Sequence, residues 1–285
     1  MTERKSPTVR RRRLGLELRR LREQAGLTCE QAGAHLDCSA SKVSRIETAR
    51  VPVRILDVQA MCDLYHATAD EIATLGALAR ESKQRGWWHT FDDVLPGWFQ
   101  TYVGLEAEAT SIRTYEIQLV PGLLQTEGYA RAILEAGDLA PITPDDLARA
   151  LALRMTRQDL LVGPNPPQLW VVLSEAVLVR VVGGPDVMRD QLLYLAELCD
   201  RRGITIQVIR NEQGAHPAMN TPFVLLGFPE REDPGVVYID FLTGGLYLEK
   251  PDEVDRYTLT FNHLVAASLP PRQSAQLVRS VAKDH

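Results

Sequence analysis

The sequence predicts a multidomain α + α/β protein: an N-terminal five-helix domain, then a helical junction and a mixed α/β C-terminal domain. Three observations support this prediction. The first 80 residues carry apolar side chains at helical spacing, interrupted by capping residues. An aromatic-rich segment follows at 86–102, and β-branched runs alternate with helical patterns from residue 168 onward. A chain of 285 residues is long enough for two separate hydrophobic cores.

Capping residues bound the first two predicted helices. Gly26 ends the first helix, because glycine adopts the left-handed conformation at a helix C-terminus without strain. Thr28 and Gln31 have the spacing of a capping box that opens the second helix, in which Ala32 and Leu36 face inward. One apolar stripe runs along the first helix: Leu14, Leu18, Leu21 and Ala25.

A tight turn leads into the third predicted helix. Asp37 lies at a turn position that often needs a positive φ, which aspartate tolerates. Ser39 is placed to cap the third helix, and Val43 and Ile46 are its inward residues. The opposite face presents small polar and basic residues to solvent: Ala40, Ser41, Lys42, Ser44 and Arg45.

Two more helices complete the predicted N-terminal domain at 14–80. Thr68 and Glu71 form a second capping box, which opens the fifth helix. The expected inward residues of the fourth helix, which starts from about Val53, are Leu56, Ala60 and Leu64. Those of the fifth helix are Ile72, Leu75 and Leu78.

The second and third helices have the arrangement of a helix-turn-helix, in which a short helix, a turn and a second helix enter the major groove of DNA. Charge supports this interpretation, since residues 1–54 hold 13 Lys and Arg against 6 Asp and Glu while the whole chain has a net charge of −5. A helical bundle that binds protein and has lost its DNA contacts is the alternative. The DNA contacts predicted here are Thr28, Cys29, Gln31, Ser39, Ala40, Ser41, Lys42, Ser44 and Arg45.

Four consecutive arginines precede this domain and define a predicted basic arm at 1–13. Adjacent guanidinium groups can follow a phosphate backbone or reach a minor groove. The alternative is a solvated terminus that adds only diffuse attraction. The residues concerned are Arg10, Arg11, Arg12 and Arg13.

Residues 14–78 resemble the five-helix domain of lambda-repressor and Xre-type regulators. The resemblance rests on the run from Gly26 to Thr28, on Leu36 and Ser39, and on the run from Val43 to Glu47. The family pattern often has glutamine where this chain has Cys29, and glycine where it has Asp37. The first departure removes a possible phosphate or base contact, whereas the second is tolerable for the backbone.

The segment from Trp87 to Arg131 resembles the C-terminal domain of WhiJ-like regulators, a large actinobacterial family. Its marks are a tryptophan pair, a Leu-Glu-x-Glu-Ala run at 105–109 and the motif Pro-Gly-Leu-Leu-Gln-Thr-x-x-Tyr-Ala-Arg at 121–131. The resemblance implies a transcriptional regulator, often encoded beside a small acidic protein that binds or antagonises it. It does not define what the C-terminal domain, predicted at 86–285, recognises.

The aromatic segment has two interpretations. It is either the junction through which the C-terminal domain packs against the fifth helix, or the lining of an apolar ligand pocket. His216 lies in a predicted loop after a strand, where a ligand-binding or catalytic histidine is possible, although an ordinary turn histidine is the simpler interpretation. The candidate ligand or partner residues are Trp87, Trp88, Trp98, Phe99, Tyr102 and His216.

The C-terminal domain is predicted to be helical over 86–162 and mixed α/β over 168–285. One helix is expected from Val103 to about Thr114, with Glu106, Glu108 and Arg113 on a largely solvated face. Strands are predicted at 169–173 and 204–209, and a three-strand antiparallel meander at 223–228, 235–240 and 245–249. Helices are expected at 141–161, 187–201, 251–269 and 272–282.

Several classes of protein are disfavoured. No run approaches the ~18 apolar residues of a membrane span, and no short cysteine pair or histidine spacing suggests a metal site. The four cysteines suit a reducing cytoplasm, and a redox switch between Cys29 and Cys38 is a minor alternative. No glycine-rich phosphate loop or nucleophile motif points to an enzyme or a cofactor.

The sequence therefore predicts a dimeric, cytoplasmic, sequence-specific DNA-binding regulator, because helix-turn-helix modules ordinarily bind paired half-sites. The C-terminal domain is expected to supply the dimer contact and to sense a ligand or a small partner protein. Two alternatives remain, an antitoxin-like interaction protein that regulates its own expression and an enzyme fused to a DNA-binding domain.

Overall fold

A computed structural model describes residues 7–82, 86–137, 142–229 and 233–285. The chain forms two compact units, residues 1–89 and residues 90–285. The division therefore falls within the aromatic segment, a few residues after the boundary that the sequence suggests. None of the helices in the described part of the chain is long and apolar enough to cross a membrane.

The first unit contains five helices around one hydrophobic core. The helices are α1 Pro7–Gln24, α2 Cys29–His35, α3 Ala40–Glu47, α4 Ile55–Leu64 and α5 Ala69–Glu81. Both predicted capping boxes are present, at Thr28 and at Thr68. Leu18, Ala32 and Val43 are completely buried in the core, so α1, α2 and α3 meet there. The predicted five-helix arrangement is confirmed.

The structure corrects the predicted start of α1. This helix begins at Pro7, so the four arginines of the predicted arm lie within it. Proline is well suited to the first turn because its missing N–H has no intrahelical partner there. Val9 and Arg12 are buried, so the inward stripe continues toward the N-terminus beyond Leu14.

The inward face of α4 also differs from the prediction. Leu56 is 75% exposed and Ala60 is exposed, whereas Val58, Met61 and Cys62 are buried. The apolar residues of α4 are distributed around most of its circumference, so their spacing does not select one face. Contacts with the other helices decide which face is buried.

The second unit combines a six-stranded sheet with seven α-helices among its described residues. A 3-10 turn, Trp87–Phe91, lies where the two units join in sequence. The helices are α6 Gly97–Glu106, α7 Glu127–Ala136, α8 Pro144–Gln158, α9 Glu175–Val179, α10 Pro185–Leu198, α11 Pro251–Ala267 and α12 Pro271–Asp284. The strands are β1 Ser111–Glu116, β2 Gln168–Ser174, β3 Ile204–Ile209, β4 Phe223–Gly227, β5 Val236–Phe241 and β6 Gly244–Leu248.

The sheet is mixed and has the strand order β3-β2-β1-β4-β5-β6. β1, β2 and β3 run parallel, and β4, β5 and β6 form the predicted antiparallel meander beside β1. The predicted mixed α/β character of this part of the chain is confirmed.

β1 occupies a place where the sequence predicts helix. α6 ends at Glu106, and residues 111–116 form a strand that pairs with β2 on one side and β4 on the other. The predicted helix from Val103 to Thr114 is therefore wrong, and the section at 86–162 is not wholly helical. Ile112 and Thr114 are β-branched and suit a pleated, buried surface, which the apparent helical spacing concealed.

Alternate residues of β1 point to opposite faces of the sheet. On one face, Thr114 and Glu116 lie beside residues of α6 and α8. On the other face, Tyr115 joins a core with Phe223 of β4 and Phe261 of α11. The two faces therefore contain chemically different environments.

Candidate nucleic-acid interface and the aromatic cluster

The turn between α2 and α3 has the geometry that the sequence predicts. Asp37 has a φ of 50°, and the Ser39 side chain accepts a hydrogen bond of 3.2 Å from the Lys42 amide. Gly33 lets the turn approach α2 closely, because a Cβ atom there would lie 2.7 Å from the carbonyl oxygen of Cys38. The role of Gly33 could not be predicted from local spacing, because it depends on this tertiary approach.

The outward face of α3 is polar and open to solvent. Ser41, Lys42 and Arg45 are exposed, and Ala40 is half-buried. The Arg45 Nε donates only a 3.3 Å bond to the Ser41 carbonyl, and Lys42 lies 3.5 Å from Asp57 of α4. These weak surface contacts leave both basic side chains available to a phosphate or a base edge. Ser39 and Ser44 are also exposed.

The start of α2 contributes two exposed polar residues and one that faces inward. Thr28 and Gln31 are exposed, and the Thr28 amide donates to the Gln31 side chain at 2.8 Å. Cys29 is half-buried, packs against the core and lies with its Sγ 4.0 Å from Glu47. Its predicted contact with DNA is not supported by this orientation.

A buried ion pair holds α3 against α1. The Arg22 guanidinium donates two hydrogen bonds to Glu47, of 2.7 and 2.8 Å, and a third of 2.7 Å to the Leu27 carbonyl. The bonds to Glu47 raise the pKa of Arg22 despite its desolvation. Since Glu47 is the last residue of α3, this pair sets the position of the outward face. Local spacing gives no signal for this pair, because its members lie 25 positions apart in the sequence.

The four arginines predicted as an arm have different environments on α1. Arg10 forms an ion pair with Glu81 of α5, and Arg12 is only 4% exposed. Arg11 is half-buried, and burial lowers the pKa of its guanidinium. Of the four, Arg13 is the one that the structure places in an exposed position. The prediction of a four-residue arm along DNA is therefore wrong, since the helix directs Arg10 and Arg12 into the protein.

The predicted aromatic cluster is divided between the two units. Trp87 and Trp88 belong to the first unit, where their rings make an edge-to-face contact at 6.0 Å and Trp88 is buried. Trp98, Phe99 and Tyr102 lie on α6 in the second unit.

The α6 aromatics form a stack that continues onto the sheet. The rings of Phe99 and Tyr102 are 5.1 Å apart, and Tyr102 lies 4.4 Å from Tyr238 of β5. Tyr247 of β6 donates a 2.8 Å hydrogen bond to the Trp98 carbonyl. These contacts hold α6 against β5 and β6, at one edge of the sheet.

His216 lies on the opposite face of the sheet. Its Nε2 is 3.1 Å from the Tyr115 hydroxyl, and burial lowers its pKa. Tyr115 points away from Thr114 and Glu116, which share a cavity with Tyr102. His216 therefore does not join Tyr102 in one site, and the predicted six-residue group is separated.

A second buried ion pair links α6 to α8. Arg157 donates two hydrogen bonds of 2.8 Å to Glu106, and both side chains are less than a tenth exposed. The Arg157 guanidinium also lies 5.1 Å from the Phe99 ring centroid and 5.5 Å from that of Tyr102. The prediction of a solvated face for Glu106 is wrong, because its partner is 51 residues away and invisible to local spacing.

Family comparisons match both units. Residues 13–75 match the model described as a helix-turn-helix domain, and residues 99–280 match that described as a domain of unknown function, DUF5753. No match was found among curated proteins or among solved structures. The first match supports an Xre-like helix-turn-helix regulator. The WhiJ-like assignment of the C-terminal part stays a prediction.

Proposed function

Because the chain belongs to the DUF5753 family and its first unit is a helix-turn-helix domain, we propose that it is a dimeric transcription regulator that reads a specific operator sequence. In this proposal α3 enters the major groove, and the second unit supplies the dimer contact and senses a ligand or a small partner protein. The finer WhiJ-like assignment is part of the same proposal.

The outward face of α3 carries the DNA-binding part of the proposal. Its basic and hydroxyl side chains are exposed, while the opposite face is held in the core by Val43 and Ile46. The Arg22–Glu47 pair fixes the end of the same helix. A rigid helix with a polar outer face is what direct readout of base edges requires.

Dimerisation follows from the size of the module. A single helix-turn-helix contacts only a few base pairs, and two modules joined about one helical turn apart supply tight binding. The second unit is more than twice the length of the first, so it has ample surface for self-association and for a sensor.

A footprint of the purified full-length protein on its own upstream DNA tests the proposal. We expect protection of two half-sites whose centres are about 10 base pairs apart, or a multiple of that distance. Absence of any footprint, together with equal affinity for random DNA, would contradict sequence-specific regulation.

A further inference from the structure

A cavity in the second unit lies between α6, α8 and the sheet, where separate motifs of the sequence converge. Tyr102 and Glu106 reach it from α6, and Arg157 reaches it from α8. The turn containing Gly122, from the Pro-Gly-Leu-Leu motif, closes another side. Its volume is about 50 Å³. A cavity of about 150 Å³ accommodates benzene, so this one fits a group of two or three heavy atoms.

The polar group left without a strong partner in this cavity is Glu116. Within the described part of the chain, its carboxyl accepts one hydrogen bond, 3.1 Å long, from the Thr114 hydroxyl. Burial, with a smaller contribution from the nearby Asp240, raises the pKa of Glu116 to about 8 despite the hydrogen bond from Thr114. A carboxyl in such a place favours an added hydrogen-bond donor or a positive charge.

The other charged groups lining the cavity neutralise each other. Arg157 donates two hydrogen bonds to Glu106, so its positive charge is compensated by direct contact. Together, Arg157 and Glu106 contribute no net charge to the lining of the cavity. The remaining walls include the apolar side chains of Ile112, Leu169 and Val224.

We infer that this cavity binds the aminomethyl end of a small primary alkylamine, with its ammonium group on the Glu116 carboxylate. The ammonium supplies the donors that the carboxylate lacks, and the adjoining methylene contacts the apolar walls. The cavity is too small for the rest of a longer amine, which lies toward the partly solvent-exposed side of Glu116. This inference rests on the proposed function for its regulatory meaning, because it assigns a ligand class to the sensing unit.

Calorimetric titration of the full-length protein with n-butylamine at pH 7.5 tests the inference. Phosphate and HEPES buffers are compared, and Tris is avoided because it is itself a primary amine. We expect saturable binding with release of a proton, since the Glu116 carboxyl must ionise to pair with the ammonium. n-Butanol, which has the same chain length without the charge, should bind far more weakly.

Two variants separate this site from general attraction to an acidic protein. Glu116→Gln should weaken n-butylamine binding by about ten- to a hundredfold, the effect of one charge-assisted hydrogen bond. Glu135→Gln removes an exposed carboxyl of α7 and should leave binding unchanged. Equal binding to the Glu116→Gln variant and the parent, or no saturable binding to the parent, would overturn the inference.

A measurement on the unaltered protein keeps the test decisive if the Glu116→Gln variant does not fold. Intermolecular nuclear Overhauser effects should connect the methylene next to the amine with the methyl groups of Ile112 and Val224, and effects to methyl groups elsewhere would overturn the site. Tighter binding of Nα-acetyl-lysine methylamide than of n-butylamine would assign the cavity to a protein lysine instead. No DNA is present in these experiments, so their failure would leave operator binding intact, and a failed footprint would leave amine binding intact.

Discussion

Under the proposed function, the first unit contains exposed residues that are expected to contact DNA and buried residues that hold α3 in place. Arg45 is exposed on α3 with one weak hydrogen bond, whereas Glu47, two residues later, is buried against Arg22. Neighbouring residues on one short helix therefore have opposite roles. Substitution of the first should change DNA affinity, and substitution of the second should change stability.

Arg45→Ala should lower specific operator affinity by about 1–3 kcal/mol, because a base or phosphate contact is lost. The matched control is Arg19→Ala, which removes the same charge from an exposed position on α1. Gel shifts on the footprinted operator and on random DNA measure the effect. Equal losses for the two variants would assign Arg45 only a diffuse electrostatic role.

Arg22→Ala should destabilise the protein by about 3–5 kcal/mol, because it leaves the Glu47 carboxylate buried without a partner. Thermal unfolding of the full-length protein measures this loss. Arg19→Ala again serves as the control and should change stability by less than about 0.5 kcal/mol. A small effect of Arg22→Ala would mean that water or another cation replaces the lost guanidinium.

Glu116 gives the second unit a defined pH dependence. Its pKa rises from 4.5 in the unfolded chain to about 8 in the fold, with burial as the main cause and Asp240 as the nearby acid. The Thr114 hydroxyl acts in the opposite direction, and the Glu106–Arg157 pair is internally compensated. Since the folded state favours the protonated carboxyl, stability should fall as pH rises from about 4.5 to about 8.

Glu116→Gln should remove this loss of stability. The variant should match the parent near pH 4.5 and exceed it by up to about 4 kcal/mol near pH 8, as the difference between the two pKa values implies. Urea unfolding at both pH values measures the difference, and Glu135→Gln should show no such trend. A constant difference between variant and parent across this range would contradict the assigned titration.

At the scale of elements, a close approach between two backbone segments positions α3. Gly33 lies where α2 meets the turn before α3, and a Cβ there would come within 2.7 Å of a backbone carbonyl oxygen. At Gly97, the first residue of α6, an added Cβ would meet no other atom within 4 Å. The two glycines therefore make a matched pair for testing how much the packing of α2 on α3 contributes.

Gly33→Ala should destabilise the protein by about 1–3 kcal/mol and weaken operator binding, because the turn must move away from α2. Gly97→Ala should be neutral or stabilising by up to about 1 kcal/mol, since alanine favours the helical conformation. Thermal unfolding and gel shifts measure both effects. An unchanged melting temperature for Gly33→Ala would show that the turn shifts without cost.

At the scale of the whole molecule, positive charge is concentrated near the N-terminus and negative charge in the rest of the chain. Residues 1–54 are rich in arginine and lysine, while the complete chain is net negative. Acidic charge on the second unit disfavours its approach to DNA, which leaves the first unit as the part that binds. Self-association of the second unit would then set the distance between the first units of two protein chains.

Residues 90–285 should dimerise at micromolar concentration when expressed alone, whereas residues 1–89 should remain monomeric. Paired half-sites require two helix-turn-helix domains, so two chains must associate. The second unit is the longer of the two and has the larger surface for this contact. Sedimentation velocity of both fragments and of the full-length protein measures the states. If residues 1–89 dimerise and residues 90–285 stay monomeric, the dimer contact lies on the helix-turn-helix domain.

Local interactions are encoded directly in the spacing of residues, and they could be predicted. The capping boxes at Thr28 and Thr68, the positive φ of Asp37 and strands β2 to β6 all depend on residues a few positions apart. The polar face of α3, and with it the DNA-binding part of the candidate site, follows from the same helical periodicity.

Long-range packing decided the rest. Residues 111–116 have a helix-like apolar spacing but become the central strand β1 because β2 and β4 lie on both sides of them. The Arg22–Glu47 and Arg157–Glu106 pairs join residues 25 and 51 positions apart. The α4 face and the cavity at Glu116 likewise depend on which elements meet. Such contacts leave no periodic signal in the chain, since the free energy of burial depends on the neighbours that the tertiary structure supplies.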